Sequence, residues 1–171
     1  MRGLVIHSHP LEDSFSAALR DAVCDGLSAG AIDHTVIRLS QGDEPDLAGQ
    51  QYDQLVAVCP TWWGGPPAVM LDWLQRTLGP HVDGNESANS SPLASIRRLS
   101  VVTTHGSSRL MNRMQGEPGR QTWARVVMPM CAPRAEFEWI SLYKIDRSTE
   151  SGRARFLDRV RTHFTSDRVP G

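Results

Sequence analysis

The sequence predicts a doubly wound α/β fold built on a five-stranded parallel sheet. Short apolar and β-branched runs alternate with segments in which apolar residues recur every three or four positions. The run "LVAVC" at residues 55–59 is continuously apolar, as expected of a strand that is covered on both faces. Strands that alternate with helices favour right-handed βαβ units, and therefore a parallel sheet. Such a sheet binds ligands at the carboxyl ends of its strands.

The five predicted strands are short. The first is "LVI", and the second, "HTVIRL", follows the turn-like segment "SAGAID". The fifth, "EFEWISLY", alternates apolar and polar residues. The predicted strands comprise residues 4–6, 34–39, 55–59, 99–104 and 136–143.

Apolar spacing and end signals predict the first two helices. Residues 14–27 place apolar side chains at three- and four-residue intervals, with Asp13 or Ser14 as the N-cap. The second helix is predicted to open at the proline pair 66–67 and to stop at the Gly-Pro pair 79–80.

Two further helices are predicted in the second half of the chain. One begins at about Gln121, and the last is capped by Ser148 or Thr149. Between strands three and four, residues 80–95 are rich in serine and asparagine and predict a long irregular loop. The predicted inner side of the last helix consists of Ala154, Phe156, Leu157 and Val160.

Composition narrows the functional classes. A length of 171 residues with 40% hydrophobic residues predicts a single domain over residues 1–171. A net charge of −1 gives no basic footprint for nucleic acid. Three widely spaced cysteines indicate neither a disulfide framework nor a zinc site. No signal peptide or membrane span is recognisable, so we expect a cytoplasmic protein that does not insert into the membrane.

Three loops of unusual composition are predicted to meet at one edge of the sheet. They follow strands one, three and four and comprise residues 7–16, 60–67 and 103–108. In a doubly wound sheet these strand ends lie side by side at the switch point where ligands bind. The first loop has no GxGxxG pattern and the chain has no P-loop, so neither nucleotide fingerprint applies.

The chemistry of these loops suits a flat heterocycle that carries a phosphate. The first, "HSHPLEDSFS", offers hydroxyls, imidazoles and the free amides of a helix start, although N-capping explains the same residues. In the second, Trp62 and Trp63 provide apolar walls beside the open backbone of a Gly-Gly pair. Packing of both indoles in a core or a dimer contact is the alternative. The third, "TTHGSS", brings amides close to a ligand or forms an ordinary turn.

Three motifs give the chain a family resemblance. It resembles the flavodoxin-like NAD(P)H:quinone oxidoreductases, which include the ancillary oxidoreductase of bacterial glutathione-gated potassium efflux systems. The resemblance rests on "HPLEDSFSAAL", "CPTWWGGPPAVMLDWLQRTL" and "VVTTHG". The second is the most specific and matches the pattern P-x-x-W-x-x-x-P-A at Pro60, Trp63, Pro67 and Ala68. The resemblance implies a flavodoxin-like sheet with the strand order 2-1-3-4-5.

The resemblance also implies roles by position. The flavin would be FMN, with FAD as the alternative, and NAD(P)H would be the co-substrate that reduces it before a quinone is reduced. No catalytic side chain and no metal are implied, and His105 is a candidate hydrogen-bonding partner only. The phosphate and ribityl end of the flavin would contact His9, Ser14, Phe15 and Ser16. One edge of the ring would contact Pro60, Thr61, Trp62 and Trp63. The pyrimidine edge would contact Thr103, Thr104, His105 and Gly106.

The chain departs from the family in two loops, and two other functions stay open. His105 stands where members commonly have glycine, and "LMN" at residues 110–112 replaces a region in which some carry tyrosine. Residues 80–95 also differ from the family's loop over the substrate. The resemblance implies a homodimer. The alternatives are a regulatory subunit of a potassium efflux transporter and a flavodoxin-type electron carrier, which the net charge of −1 disfavours.

Overall fold

The protein forms a five-stranded parallel sheet with helices on both faces. The computed structural model describes residues 1–42, 47, 49–82 and 91–166. The sheet has the strand order β2-β1-β3-β4-β5, and every neighbouring pair is parallel. This confirms the predicted flavodoxin-like fold class. The strands are β1 (Arg2–His7), β2 (Asp33–Arg38), β3 (Gln54–Pro60), β4 (Arg98–His105) and β5 (Glu136–Tyr143).

Within the described residues, five α-helices connect or follow the strands. The last of them is held at its start by Thr149, whose hydroxyl accepts a hydrogen bond from the Gly152 amide. The fourth continues through a π-helical turn, Trp123–Val127, and a 3-10 turn, Met128–Met130. Among the described residues, no helix is both long enough and apolar enough to cross a membrane. The helices are α1 (Phe15–Ala29), α2 (Ala68–Val82), α3 (Arg109–Met114), α4 (Pro118–Thr122) and α5 (Glu150–Ser166).

The sheet is buried because alternate residues of its central strands enter two different cores. On one face, Leu4 and Ile6 pack with residues of α2 and of the segment 123–131. On the other face, Val5 packs with residues of α1 and α5. Trp73 of α2 is 2% exposed and belongs to the first of these cores. All seven residues of β3 are buried, as its continuous apolar run predicts.

A glycine allows α1 and α5 to approach closely. A Cβ atom at Gly26 would lie 2.5 Å from the Arg161 carbonyl oxygen and 2.8 Å from the Phe164 Cβ. No side chain can therefore be accommodated at this helix crossing without displacing backbone. The two helices together cover the second face of the sheet.

Several element boundaries differ from the predictions. Helix α2 does not stop at Gly79-Pro80 but runs to Val82, because burial of Leu78 and His81 holds its last turn. Of the predicted 80–95 loop, residues 83–90 lie outside the described residues. The predicted third helix begins earlier than Gln121, at Pro118.

Two more differences come from tertiary packing. Helix α3 was not predicted; Ser108 caps it by accepting a hydrogen bond from the Met111 amide. Ala154 was predicted on the inner side of α5 but is exposed. The inner face follows Phe156, Val160 and Phe164 at four-residue spacing instead.

Candidate functional site

A cleft of about 700 Å³ opens at the carboxyl ends of β3 and β4. The loop after β3 forms one wall and the loop after β4 forms the opposite wall. The second half of α3 and the beginning of α4 close the remaining side. The predicted site residues that line this cleft are Pro60, Thr61, Trp62, Trp63, Thr104, His105 and Gly106.

The wall after β3 is shaped by a tight turn at residues 62–65. The amide of Trp62 donates to the Gly65 carbonyl and the amide of Gly65 to the Trp62 carbonyl, each over 2.9 Å. The central residues, Trp63 and Gly64, have φ angles of +52° and +85°, as a type I′ turn requires. A left-handed conformation is uncommon for a bulky residue such as tryptophan and costs about 1 kcal/mol. The turn therefore holds Trp63 in a strained conformation.

Helix α4 braces this turn from below. The Gly64 carbonyl accepts a hydrogen bond from the Gly119 amide over 2.6 Å. A Cβ atom at Gly119 would lie 2.8 Å from the Gly64 carbonyl oxygen and 3.4 Å from the Gly65 Cα. Glycine is thus required at position 119 for the backbone of α4 to reach the turn.

The two indoles have different environments. Trp62 is 44% exposed and makes an edge contact with the His9 ring, with 5.6 Å between the centroids. Trp63 is fully exposed, at 106%. Neither indole is buried in the core of the chain, so the core alternative for this pair is wrong. The aromatic wall is available to a ligand or to a second chain.

Hydrogen bonds between the two walls hold the strand ends together. The hydroxyls of Thr61 and Thr103 are 2.9 Å apart, and the Thr61 amide donates to the Thr104 carbonyl over 2.9 Å. Thr103 is 1% exposed and does not line the cleft. Its side chain therefore positions Thr61 and does not itself face the cleft.

His105 is a buried imidazole at the floor of the cleft. It is 5% exposed and stacks on the Tyr143 ring with 4.6 Å between centroids. The Asn112 side chain lies beside it, but its two N–H bonds go to Ser107 and Ser108. Neither ring nitrogen of His105 has a hydrogen-bonding partner in the part of the chain that the structure describes. Burial lowers the pKa of His105, with the Asn112 side chain opposing the shift, so the ring is neutral at neutral pH.

The loop after β1 does not line the cleft but touches it through His9. Ser14 is the N-cap of α1, since its hydroxyl accepts from the Ala17 amide over 3.1 Å. The Ser16 hydroxyl bonds to the His7 Nε2 over 3.2 Å, and Phe15 packs against the core between α1 and α5. The backbone amides of Phe15 and Ser16, in the first turn of α1, have no hydrogen-bonding partner among the described residues.

Five lining residues were missed by sequence reasoning. Asp146 lies against the predicted site: its Oδ2 would be 2.9 Å from a Cβ at Gly106. It comes from the segment after β5, 40 positions away in the chain, so no local pattern predicts it. The pattern "GEPG", which includes Pro118, could have indicated part of this set, because its residues are typical of a loop before α4. The missed residues are Asn112, Gln115, Pro118, Ile145 and Asp146.

The cysteines are not part of this cleft. Burial raises the pKa of Cys59 and of Cys131 to about 12 and that of Cys24 to about 11. All three thiols are therefore protonated at neutral pH. No thiolate nucleophile is available from them.

A five-stranded sheet in this order, with a ligand-sized cleft at its switch point, defines the class of flavodoxin-like α/β proteins. A scan against protein families matches residues 1–130 to the flavodoxin-2 family, which is described by its flavodoxin-like fold. The chain belongs to this family. A search of curated proteins found no match.

Solved structures share the fold at low sequence identity. An NAD(P)H:quinone oxidoreductase from Methanothermobacter marburgensis superposes with a TM-score of 0.75 and 17% identity, covering 96% of this chain and 94% of the other. An azoreductase from Bacillus anthracis str. Sterne gives 0.70 and 11%, covering 98% and 100%. An FMN-dependent NADH-azoreductase from Bacillus anthracis str. Ames Ancestor, in complex with FMN, gives 0.65 and 10%, covering 96% and 97%.

Proposed function

We propose that the protein is a flavin-dependent oxidoreductase that holds FMN in the cleft and transfers electrons from NAD(P)H to a quinone or similar acceptor. The observation that carries the proposal is the cleft itself, which combines a strained, fully exposed Trp63 with a buried, unpartnered His105. Strain and unsatisfied polar groups are retained mainly where a ligand uses them. The names of the similar solved structures support the same class of chemistry.

The cleft fits the ring of a flavin. Its volume of about 700 Å³ lies within the range of about 300–1,000 Å³ that small-molecule sites occupy. Trp62 and Trp63 offer an aromatic wall, and the nitrogens of His105 offer hydrogen bonds to a polar ring edge. The phosphate would lie at the start of α1, where the amides of Phe15 and Ser16 are open.

The roles of the side chains follow from these contacts. A bound flavin supplies two-electron transfer between NAD(P)H and a quinone or similar acceptor. Trp62, Trp63 and the Thr104 segment would orient the ring, and His9 would support the Trp62 wall. A neutral His105 would hydrogen-bond the ring edge without adding a fixed charge. Asp146, against Gly106, would disfavour anionic ligands on that side of the cleft.

The decisive experiment identifies the flavin. Purified protein is expected to absorb at flavin wavelengths, and the released cofactor is expected to have the mass of FMN; an FAD mass would correct the cofactor alone. Flavin-saturated protein is expected to oxidise NAD(P)H repeatedly when a quinone is supplied. A pure electron carrier or a purely regulatory subunit would not sustain that turnover. A colourless protein that fails to bind added FMN would reject the proposal.

A variant pair connects flavin binding to the cleft. Trp63→Ala is expected to weaken FMN binding about tenfold, or about 1.4 kcal/mol, because it removes an aromatic wall. Its free energy of unfolding should not change, since this indole is fully exposed. Val126→Ala is the control, because Val126 is also exposed and apolar but does not line the cleft. Equal FMN affinity of Trp63→Ala and wild type would remove Trp63 from the site.

We also infer a homodimer that covers the mouth of the cleft. Leu110 and Met114 of α3 are 70% and 75% exposed, and Asn112 of the same helix lines the cleft. Exposed apolar side chains on a helix that borders the cleft are typical of an interface. Light scattering is expected to give a dimer mass that Leu110→Glu reduces to a monomer. If Val126→Glu disrupts the dimer instead, the interface lies on another face. The cytoplasmic location stays a prediction.

A further inference from the structure

A second cleft, of about 770 Å³, wraps the outer edge of the sheet. Strand β5 pairs only with β4, so its other edge has no partner strand in the described sheet. Helix α5 borders this edge on one face, and α3 and α4 border it on the other. The floor consists of β5 residues, among them Trp139, Ser141 and Tyr143. The stacked pair of His105 and Tyr143 separates this cleft from the one described above.

Four arginines from three helices line this second cleft. Arg109 and Arg113 come from α3, Arg120 from α4 and Arg159 from α5, against a single lining carboxylate, Glu117. The cleft is thus strongly positive although the whole chain has a net charge of −1.

These guanidinium groups lack carboxylate partners. None of the four forms an ion pair within the described residues. Arginines elsewhere behave differently: Arg20 pairs with Glu12 and Asp21, and Arg161 pairs with Asp25 and Asp158. Arg109 and Arg113 are also four residues apart on one helix, where like charges destabilise each other. An anion in the cleft would relieve the repulsion between Arg109 and Arg113.

Aromatic rings accompany the charges. The Arg120 guanidinium lies 5.7 Å from the centroid of the Phe137 ring, and the Arg159 guanidinium lies 4.7 Å from that of Phe156. Such contacts favour defined positions for both side chains. Trp139 and Tyr143 are half-buried and present ring surface within the cleft itself.

We propose that this arginine cleft binds the nucleoside diphosphate moiety of a nucleotide. Guanidinium groups bind phosphate oxygens in a bidentate manner, and two phosphates could engage arginines from both sides of β5. The base would lie against the aromatic floor formed by Trp139 and Tyr143. The proposal does not depend on flavin binding, because it uses a different set of side chains.

The test is calorimetric titration of purified protein with ADP, in the presence of saturating FMN. Arg113→Gln and Arg159→Gln are each expected to weaken ADP binding about tenfold. Arg155→Gln is the matched control, because Arg155 is exposed on α5 but does not line the cleft. Added salt should weaken binding in wild type more than in Arg113→Gln.

Several results would overturn the proposal. One is no ADP binding in wild type, and another is an equal loss of affinity in Arg155→Gln. The arginines would then serve to keep the open β5 edge from pairing with another chain. Equal affinity for ADP and inorganic pyrophosphate would overturn the role of the aromatic floor. Displacement of ADP by FMN would place ADP in the first cleft and overturn the separate site.

A kinetic experiment distinguishes whether the bound diphosphate belongs to NAD(P)H or to a separate nucleotide. Only this experiment rests on the proposed oxidoreductase function. If ADP raises the KM for NAD(P)H in wild type but not in Arg113→Gln, the cleft binds the adenosine diphosphate part of the co-substrate. If ADP binds without changing this KM, the ligand is a separate nucleotide. The titration remains valid if the protein proves to contain no flavin, so the two proposals fail independently.

Discussion

The loop after β1 and the loops after β3 and β4 lie at the same edge of the sheet. They differ in whether their polar side chains have hydrogen-bonding partners within the chain. In the first, His7 bonds to Ser16, and Ser14 caps α1. Around the other two, the nitrogens of His105 have no partner among the described residues, and Trp63 is fully exposed. The Ser8 hydroxyl, buried and unpartnered, is the exception in the first loop.

This difference separates structural support from ligand binding. A loop whose side chains satisfy each other contributes to the stability of the free chain. A cleft with strained and unsatisfied groups gains its free energy only when a ligand binds. Substitutions in the first loop should therefore lower the free energy of unfolding, and substitutions in the cleft should lower ligand affinity. The turn at residues 62–65 is part of the cleft and also packs on α4. Disturbing it should therefore lower both the stability of the protein and its affinity for the ligand.

The largest effect on stability and ligand affinity is expected from Gly119→Val, which disrupts the contact between α4 and the turn at residues 62–65. The new side chain would meet the Gly64 carbonyl and displace the turn. We expect unfolding to become easier by about 1–3 kcal/mol and FMN affinity to fall at least tenfold. Denaturant titration and flavin titration measure the two effects.

Gly79→Ala is the control for this substitution. Its Cβ would meet nothing closer than the Gln75 Cγ at 3.9 Å, so the variant should be neutral or slightly stabilising. Unchanged FMN affinity in Gly119→Val would show that the turn does not form part of the ligand site.

The next effect concerns His7 and pH. Burial lowers the pKa of His7 to about 4, against a usual value of 6.5. Between these values the unfolded chain binds more protons than the folded one, so stability falls as pH falls from about 6.5 to 4. We expect His7 to account for about 2 kcal/mol of this loss. Denaturant titrations at several pH values should show a shallower decline in His7→Gln; parallel curves would contradict the interpretation.

A smaller effect is expected from Ser16→Ala, which sharpens the contrast between the loops. It removes the partner of a buried imidazole, and we expect a loss of about 1–2 kcal/mol in the free energy of unfolding. Ser14→Ala, which removes only the cap of α1, should cost about 1 kcal/mol. If Ser16→Ala instead weakens FMN binding without loss of stability, its hydroxyl contacts the phosphate directly.

The smallest change in stability is expected from His105→Phe. The substitution keeps an aromatic ring against Tyr143 and removes two unpartnered nitrogens. We expect the flavin-free protein to be unchanged or more stable by up to about 1 kcal/mol, while FMN affinity decreases. Thermal unfolding with and without FMN compares the two. A less stable flavin-free variant would show that the nitrogens are satisfied within the chain.

The strands and the site loops could be predicted because their signals are local. The continuous apolar run of β3 reflects burial of all its residues, whereas the residues of β5 after Glu136 are all half-buried. Both strands appear where expected. The composition of "CPTWWGGPPAV" predicted a rigid turn with open backbone, and the structure contains one. That these residues bind a flavin stays a prediction.

Sequence periodicity thus determined the fold class and that the loops after β3 and β4 meet, because both follow from residue order. The strand order was implied by the family resemblance. Tertiary structure decided what local patterns cannot encode. The continuation of α2 past Pro80, the position of Asp146 and the stacking of His105 on Tyr143 depend on contacts between distant segments. The convergence of arginines from α3, α4 and α5 on the β5 edge has the same origin. Each of these features depends on a residue that is distant in the sequence and becomes a neighbour only in the folded protein.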